Sequence, residues 1–179
     1  MILFATPRLI VERLAPRHAA AMADYQGRNA DRFAAWEPLR DEGYHSEAAW
    51  AARAADAERL AEDDRALATV GRIEGGEGIA TVATLSNIVR GAFQAAHLGF
   101  SCDGPAEGQG LMREHLEGLI VHAFGRMGLH RLMANHLPTN DRSARLLGRL
   151  GFEVEGLARD YLLIAGVWQD HVLRSKIAP

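Results

Sequence analysis

Hydrophobic and polar positions change their period repeatedly along this chain. At Leu9 to Leu14, Leu9, Val11 and Arg13 alternate with Ile10, Glu12 and Leu14, the two-residue period of a strand. Pro16 suits the first turn of a helix, predicted to run to about Asn29. The stretch Phe33 to His45 mixes Trp36, Pro38, Gly43 and Tyr44 and reads as a loop. Ser46 is placed to cap a second helix reaching roughly Asp63, with Trp50, Ala54, Ala57 and Ala61 near one stripe. Strand-like runs then return at Leu67 to Ile73 and Ile79 to Leu85, flanking Glu74-Gly75-Gly76-Glu77-Gly78, a glycine-rich hairpin turn. Phe93 to Cys102 is a third strand of this group, stopped by Asp103-Gly104-Pro105.

Beyond that point the helical period is strongest. From Met112, apolar residues recur at Leu116, Leu119, Ile120, Ala123, Phe124 and Met127, four turns of one apolar face. Arg131 to His136 reads as a short strand, and Pro138-Thr139-Asn140 leads into a helix from about Asp141 to Leu150. Gly151 suits the left-handed position after that helix, with Phe152 packing back. Two strands, Glu153 to Ile164 and Val167 to Ser175, join at Ala165-Gly166. The order is strand, two helices, three strands, helix, strand, helix, two strands, an α/β arrangement around one sheet.

Composition narrows the classes of function. With 179 residues the chain suits one domain and needs no staples to bury a core. A net charge of −3 lacks the basic excess of a nucleic-acid binder and suits a cationic acceptor. Cys102 is the sole cysteine, so no internal disulfide and no cysteine-based metal framework can form. His115 and His122 share a helical face, but their spacing is too long for one metal without further ligands, and no metal site is expected. No stretch is long and apolar enough for a membrane span, and Met1 to Phe4 is too short for a signal segment, so a cytoplasmic location is expected.

The informative chemistry lies between a strand and the long helix. Gly108 and Gly110 flank Gln109, followed by Leu111 and Met112 at the helix start. Residues without Cβ let backbone amides approach an anion, and the helix adds unpaired N–H groups and its positive dipole end. Together they form a candidate pyrophosphate cradle that needs no lysine. No Gly-Lys-Ser/Thr follows, so it is not a Walker loop, and the third glycine of a Rossmann fingerprint is missing. A tight turn with no ligand would use the same residues.

The wider context resembles the GNAT acetyltransferase superfamily. Arg90-Gly91-Ala92-Phe93, Leu98-Gly99-Phe100, Gly108-Gln109-Gly110-Leu111-Met112, Leu129-His130-Arg131 and Ala134-Asn135 are similar to its RimJ/RimL branch. So are Pro138-Thr139-Asn140-Asp141-Arg142-Ser143, Leu150-Gly151-Phe152-Glu153-Val154-Glu155-Gly156 and Trp168-Gln169-Asp170-His171-Val172-Leu173. The run from Ser86 to Leu173 is closest to the RimJ type, enzymes that acetylate N-terminal alanines of ribosomal proteins. Before Ser86 the match thins to Thr6-Pro7-Arg8-Leu9 and Trp36-Glu37-Pro38.

This resemblance implies a mixed, mostly antiparallel sheet flanked by helices and splayed at the strand before the glycine loop, with residues 1–179 as one acetyltransferase domain. It implies acetyl-CoA as co-substrate, bound by Phe100, Cys102, Gly108, Gln109, Gly110, Leu111, Met112 and Asn140. The acceptor would be a peptide or protein N-terminus, a ribosomal protein among the candidates, with the enzyme a monomer or homodimer. A small amine acceptor, or an acyl-CoA-binding module without turnover, stays open at this stage. The family loop usually carries Gln or Arg where Pro105 stands, which shifts pyrophosphate binding onto backbone amides. The family's thiolate-protonating tyrosine is matched by Leu147, so that role passes to Ser143. His97, on the strand before the loop, and Glu37, in the loop between the first helices, are the candidate bases. An α-amine, with an ordinary pKa near 8, is partly neutral already, so a modest base suffices.

Overall fold

A computed structural model describes residues 1–76 and 78–179. Eight strands form one sheet: β1 (Ile2–Ala5), β2 (Leu9–Arg13), β3 (Leu67–Ile73), β4 (Thr81–Val89), β5 (Ala95–Cys102), β6 (Arg131–Met133), β7 (Glu153–Ile164) and β8 (Val167–Ile177). Four α-helices flank them: α1 (Ala19–Phe33), α2 (Glu47–Glu62), α3 (Leu111–Gly125) and α4 (Asp141–Arg149). The spatial order is β1-β2-β3-β4-β5-β6-β8-β7. Every neighbouring pair is antiparallel except β5 with β6.

The alternation of side chains gives each sheet face its own core. Leu67, Ala83, Leu85, Ala96, Leu98 and Leu132 pack with Leu116, Leu119 and Ile120 of α3 and Leu147 of α4. On the opposite face Val70 and Ile79 pack with Met22 and Tyr25 of α1 and Trp50 and Ala54 of α2. None of the described helices is long and apolar enough to cross a membrane.

Local signals held where the backbone itself enforces them. The Ser46 hydroxyl accepts from the Ala49 amide at 3.2 Å, capping α2. Gly151 has φ +80°, with the Phe152 amide donating to Leu147 and the Gly151 amide to Gly148, a Schellman ending for α4. Ala165 and Gly166 both have positive φ and close a two-residue hairpin between β7 and β8.

Elsewhere tertiary contacts override the pattern. Strand β1 was not anticipated; its Phe4 ring lies over Gly118 of α3, where a Cβ would overlap it, and meets the His115 ring edge-on. The expected strand start at Phe93 is a turn, with Gly91 and Gln94 at positive φ and Phe93 exposed. β4 begins at Thr81 rather than Ile79, and part of the glycine-rich turn before it, Glu77, lies outside the described residues. The loop before α2 contains a short 3-10 turn, Glu42–His45. There the Tyr44 ring is sandwiched between the guanidinium groups of Arg40 and Arg53, 4.3 and 4.1 Å from its centroid.

One polar contact locks α3 to the sheet. His115 is fully buried between Thr69 of β3 and Thr81 of β4. The Thr69 hydroxyl gives its only proton to the Ala83 carbonyl, so it accepts from His115 Nε2–H at 2.9 Å. Nδ1 is then bare and accepts from the Thr81 hydroxyl at 2.8 Å. A Cβ at Gly71 would overlap that hydroxyl.

Burial pushes the His115 imidazole from its ordinary 6.5 down to about 3. The unfolded chain therefore takes up a proton below pH 6.5 that the folded protein refuses until near pH 3. This contribution to stability is complete above pH 6.5 and declines as the pH falls. The slope it adds is roughly 1.4 kcal/mol per pH unit. His18, His97 and His122 are also depressed by burial and add to the total, so the comparison needs His115→Gln. Denaturant melts between pH 6.5 and 5 should show a shallower loss in that variant, by about one proton; parallel slopes would exclude the buried neutral imidazole.

Candidate functional site

The sheet opens where β5 and β6 part. They pair at Ala95, Ala96 and His97 only, opposite Arg131, Leu132 and Met133. Past that point β5 stays on β4 as far as Cys102, while Ala134 and His136 stay bonded to β8 through Arg174 and Val172. The result is a V between two half-sheets.

Alternation decides which groups line it. The Asp103 amide donates to Ala80, on the β4 side, so the amides of Ser101, Gly99 and His97 also turn toward β4. Those of Leu98, Phe100 and Cys102 turn toward the V. In a parallel ladder of this register the last bond open to β5 runs from the Leu98 amide to the Met133 carbonyl, so the Phe100 amide is the first that β6 does not reach. Side chains alternate the other way. Phe100 and Cys102 pack toward the α3 core, while Ser101 faces α1 and bonds the Tyr25 hydroxyl at 2.9 Å. Register is regular at Gly99, opposite Thr84, so no bulge occurs there. Gly99 instead presents open space at the V, with nothing within 4 Å of a Cβ built on it.

The glycine loop stands at the outer end of the V. Gly108 and Gly110 have φ +73° and +80°, conformations in which a side chain would be strained. Gly110 is the N-cap of α3 and, having no side chain, supplies no capping bond. The first helical bond runs from the Glu114 amide to the Gly110 carbonyl. Among the described residues no group accepts from the amides of Gly108 to Arg113, and Gly108, Gln109 and Gly110 are exposed. Leu111 and Met112 bury their side chains in the core behind the loop.

Neighbouring charges shape and brace the loop. Arg8 donates to the Gln109 carbonyl at 2.9 Å and to Glu114 at 2.5 Å, while Glu114 also accepts from Thr6. Gln109 turns its amide onto the Pro105 carbonyl at 2.6 Å, so Pro105 serves the loop as a backbone acceptor. Glu107 is paired with Arg32 of α1 and, at 2.5 Å, with Arg142 of α4. That link spans the V and balances a carboxylate that would otherwise repel an anion. Asn29 and Arg28 of α1 hold Asp103, fixing the chain where β5 enters the loop.

The remaining predicted residues fall into separate groups. Asn140 caps α4, its Oδ1 accepting from the Ser143 amide at 3.1 Å. Ser143 is half-buried, and its hydroxyl has no protein partner among the described residues. Leu147, one helical turn on, is fully buried and offers no proton. The Cys102 thiol is pushed up to about 11 by burial and by the charges of Glu107 and Asp103, so it is neutral and a poor nucleophile. His97 is half-buried, its Nδ1 enclosed without a partner, and burial lowers its pKa below 6.5. Glu37 pairs with Arg40 at 2.8 Å, and its carbonyl accepts from the Ala165 amide, tying the loop between α1 and α2 to the β7–β8 turn. No hydrogen bond joins His97, Ser143 and Glu37 among the described residues. Two hydroxyl groups meet beside β5, those of Tyr25 and Ser101. Tyr25 carried no signal because it sits within an amphipathic helix, and Ser101 because one polar residue in a strand is commonplace. Among the described residues no cluster of His, Cys, Asp or Glu is arranged to hold a metal ion.

Comparison with known proteins agrees with this geometry. The profile of the family described as "Acetyltransferase (GNAT) domain" matches residues 8–153. The chain is 42% identical over 175 residues to the [ribosomal protein uS5]-alanine N-acetyltransferase of Escherichia coli (strain K12), covering 97% of this chain and 90% of that one. The crystal structure of ribosomal-protein-S5-alanine acetyltransferase from Vibrio fischeri superposes with a TM-score of 0.93 at 35% identity, covering 97% and 95% of the two chains. Mycobacterium smegmatis RimJ in complex with CoA-disulfide gives 0.90 at 28% identity, covering 95% and 82%.

Because Gly110 combines positive φ with a Cβ position 3.4 Å from Arg8 Nη2, Gly110→Val should distort the cradle from two directions. Acetyl-CoA affinity, measured by calorimetry, should fall by roughly tenfold or more. Unchanged affinity would detach the loop from the cofactor.

Proposed function

This chain belongs to the GNAT acetyltransferase family, and on that premise we propose that it acetylates the α-amine of a protein N-terminus, an alanine of a uS5-type ribosomal protein. It is an acyltransferase that uses acetyl-CoA as co-substrate. The observation that carries the finer reading is the pairing of two unspent sets of backbone donors on one path. The unpaired amides from Gly108 to Arg113 suit a pyrophosphate, and the Phe100 amide lies along the V where a thioester carbonyl would run. The identity of 42% over nearly the whole chain supports the uS5-type acceptor.

The chemistry follows from what each residue can supply. The Phe100 N–H is held by the sheet before any substrate arrives, so it can stabilise negative charge building on the carbonyl oxygen at little reorganisation cost. Cys102 stays a neutral thiol, which favours direct transfer to the amine over an acyl-cysteine route. The Ser143 hydroxyl, free of protein partners at the first turn of α4, is assigned to the leaving sulfur. Its place on the far side of the V from the loop, beside the capping Asn140, supports that assignment. His97 is assigned as the base, because burial keeps its imidazole neutral at physiological pH. Glu37 is already engaged by Arg40 and serves better as the tie between the loop and the β7–β8 turn.

Release of free thiol from acetyl-CoA should be fastest with peptides beginning with alanine. Faster turnover of free amino acids or polyamines across the same panel would replace the acceptor assignment. His97 must be unprotonated to accept a proton, so kcat/KM should fall as pH drops through its depressed pKa. In His97→Gln only the fall caused by protonation of the amine itself, with its ordinary pKa near 8, should remain, and a second acidic limb surviving below it would point to another base.

A further inference from the structure

Strand β7 departs from its ladder at one place. Ala158 pairs with His171 and Leu162 with Gln169, so Arg159, Asp160 and Tyr161 stand opposite the single residue Asp170. This bulge has two extra residues and puts Asp160 at φ +46°, a conformation a non-glycine residue adopts only when its surroundings insist. The insisting group is Asp170, whose Oδ1 accepts from the Asp160 amide at 2.9 Å. The bulge turns Tyr161 inward. Its ring lies 5.6 Å, centroid to centroid, from His171, and its hydroxyl accepts from Asn135 Nδ2 at 3.3 Å.

Asn135 fixes where that hydroxyl stands. It lies two residues beyond Met133, the last residue of β6 to pair with β5. Ala134 is buried in the α3 core, so Asn135 alternates to the face shared by His97, Gly99 and Ser101. One lip of the V therefore carries those three residues, and the other carries Asn135 with Tyr161. The Phe100 amide projects between the lips.

We propose that the Tyr161 hydroxyl binds the acceptor's primary amine and aims its lone pair at the thioester carbon; this rests on the acetyltransferase reading above. One oxygen lone pair is used by Asn135, which leaves the other to accept an amine N–H. The transfer forms one N–C bond, breaks one C–S bond, and moves one proton from nitrogen to sulfur overall. Tyr161 needs no net change of protonation for this, so it acts as a substrate-binding group rather than as the base. Asn135 and Asp170 are positioning residues, the first orienting the hydroxyl and the second holding the bulge.

Tyr161→Phe removes only the oxygen. For a peptide with N-terminal alanine, kcat/KM should fall roughly 10- to 100-fold, while acetyl-CoA affinity and the melting temperature stay at the wild-type values. Asp170→Ala should reproduce part of that loss, and it should cost little more in the Tyr161→Phe background, because both act through one hydroxyl. Retention of kcat/KM within twofold in Tyr161→Phe would overturn the proposal. So would a loss accompanied by weaker acetyl-CoA binding or a lower melting temperature, which would make Tyr161 a brace of the hairpin. A wild-type protein inert on every peptide would overturn this and the function reading together; an active wild type beside an unimpaired Tyr161→Phe overturns this one alone.

Discussion

The parting of two parallel strands after three paired residues is the constraint from which the site follows. A sheet normally satisfies every backbone group of an interior strand from both sides. Here β5 is satisfied by β4 along its whole length and by β6 only at its start. The unspent donors are presented in a row, at the repeat of the strand, with a rigid neighbour behind them. That arrangement suits an extended ligand better than any set of mobile side chains could, because the donors lose no conformational entropy on binding.

The second half of the cradle depends on where α3 begins, and that is settled from within the core. His115 bridges two strands through hydroxyl groups, Phe4 lies in the space left by Gly118, and Leu116, Leu119 and Ile120 bury the same helix face. With the helix seated so firmly, its first turn is held in register with the end of β5. The loop between can then dispense with side-chain caps and keep its amides unspent. Arg8, Arg32 and Arg142 surround it and hold Glu107 and Glu114 in pairs, so the acidic residues next to the cradle do not oppose an anionic ligand.

The walls of the V are built from parts distant in sequence. Glu37 and Ala165 join the α1–α2 loop to the β7–β8 turn, Tyr25 reaches Ser101 from α1, and a bulge in β7 delivers Tyr161 to Asn135. Each is a contact between segments separated by tens of residues. The two lips of the V thus carry different groups: β5 a row of backbone amides beyond the reach of β6, and the opposite side the paired side chains of Asn135 and Tyr161.

What the sequence determined by itself was whatever short-range physics controls. Alternation placed seven of the strands to within a few residues, the apolar stripe from Met112 announced α3, and Gly151 and Ala165-Gly166 marked a helix stop and a turn because few other residues accept positive φ. The shape of the glycine loop was legible for the same reason, since Gly108 and Gly110 declare an unusual backbone locally. Strand β1 was hidden because its stability comes from Phe4 meeting Gly118, more than a hundred residues away. The partners of His115, Glu107 and Tyr161 were equally hidden. A buried histidine between two threonines, a carboxylate held by two arginines and a tyrosine aimed by a bulge are each defined by partners that only the folded chain brings within hydrogen-bonding distance.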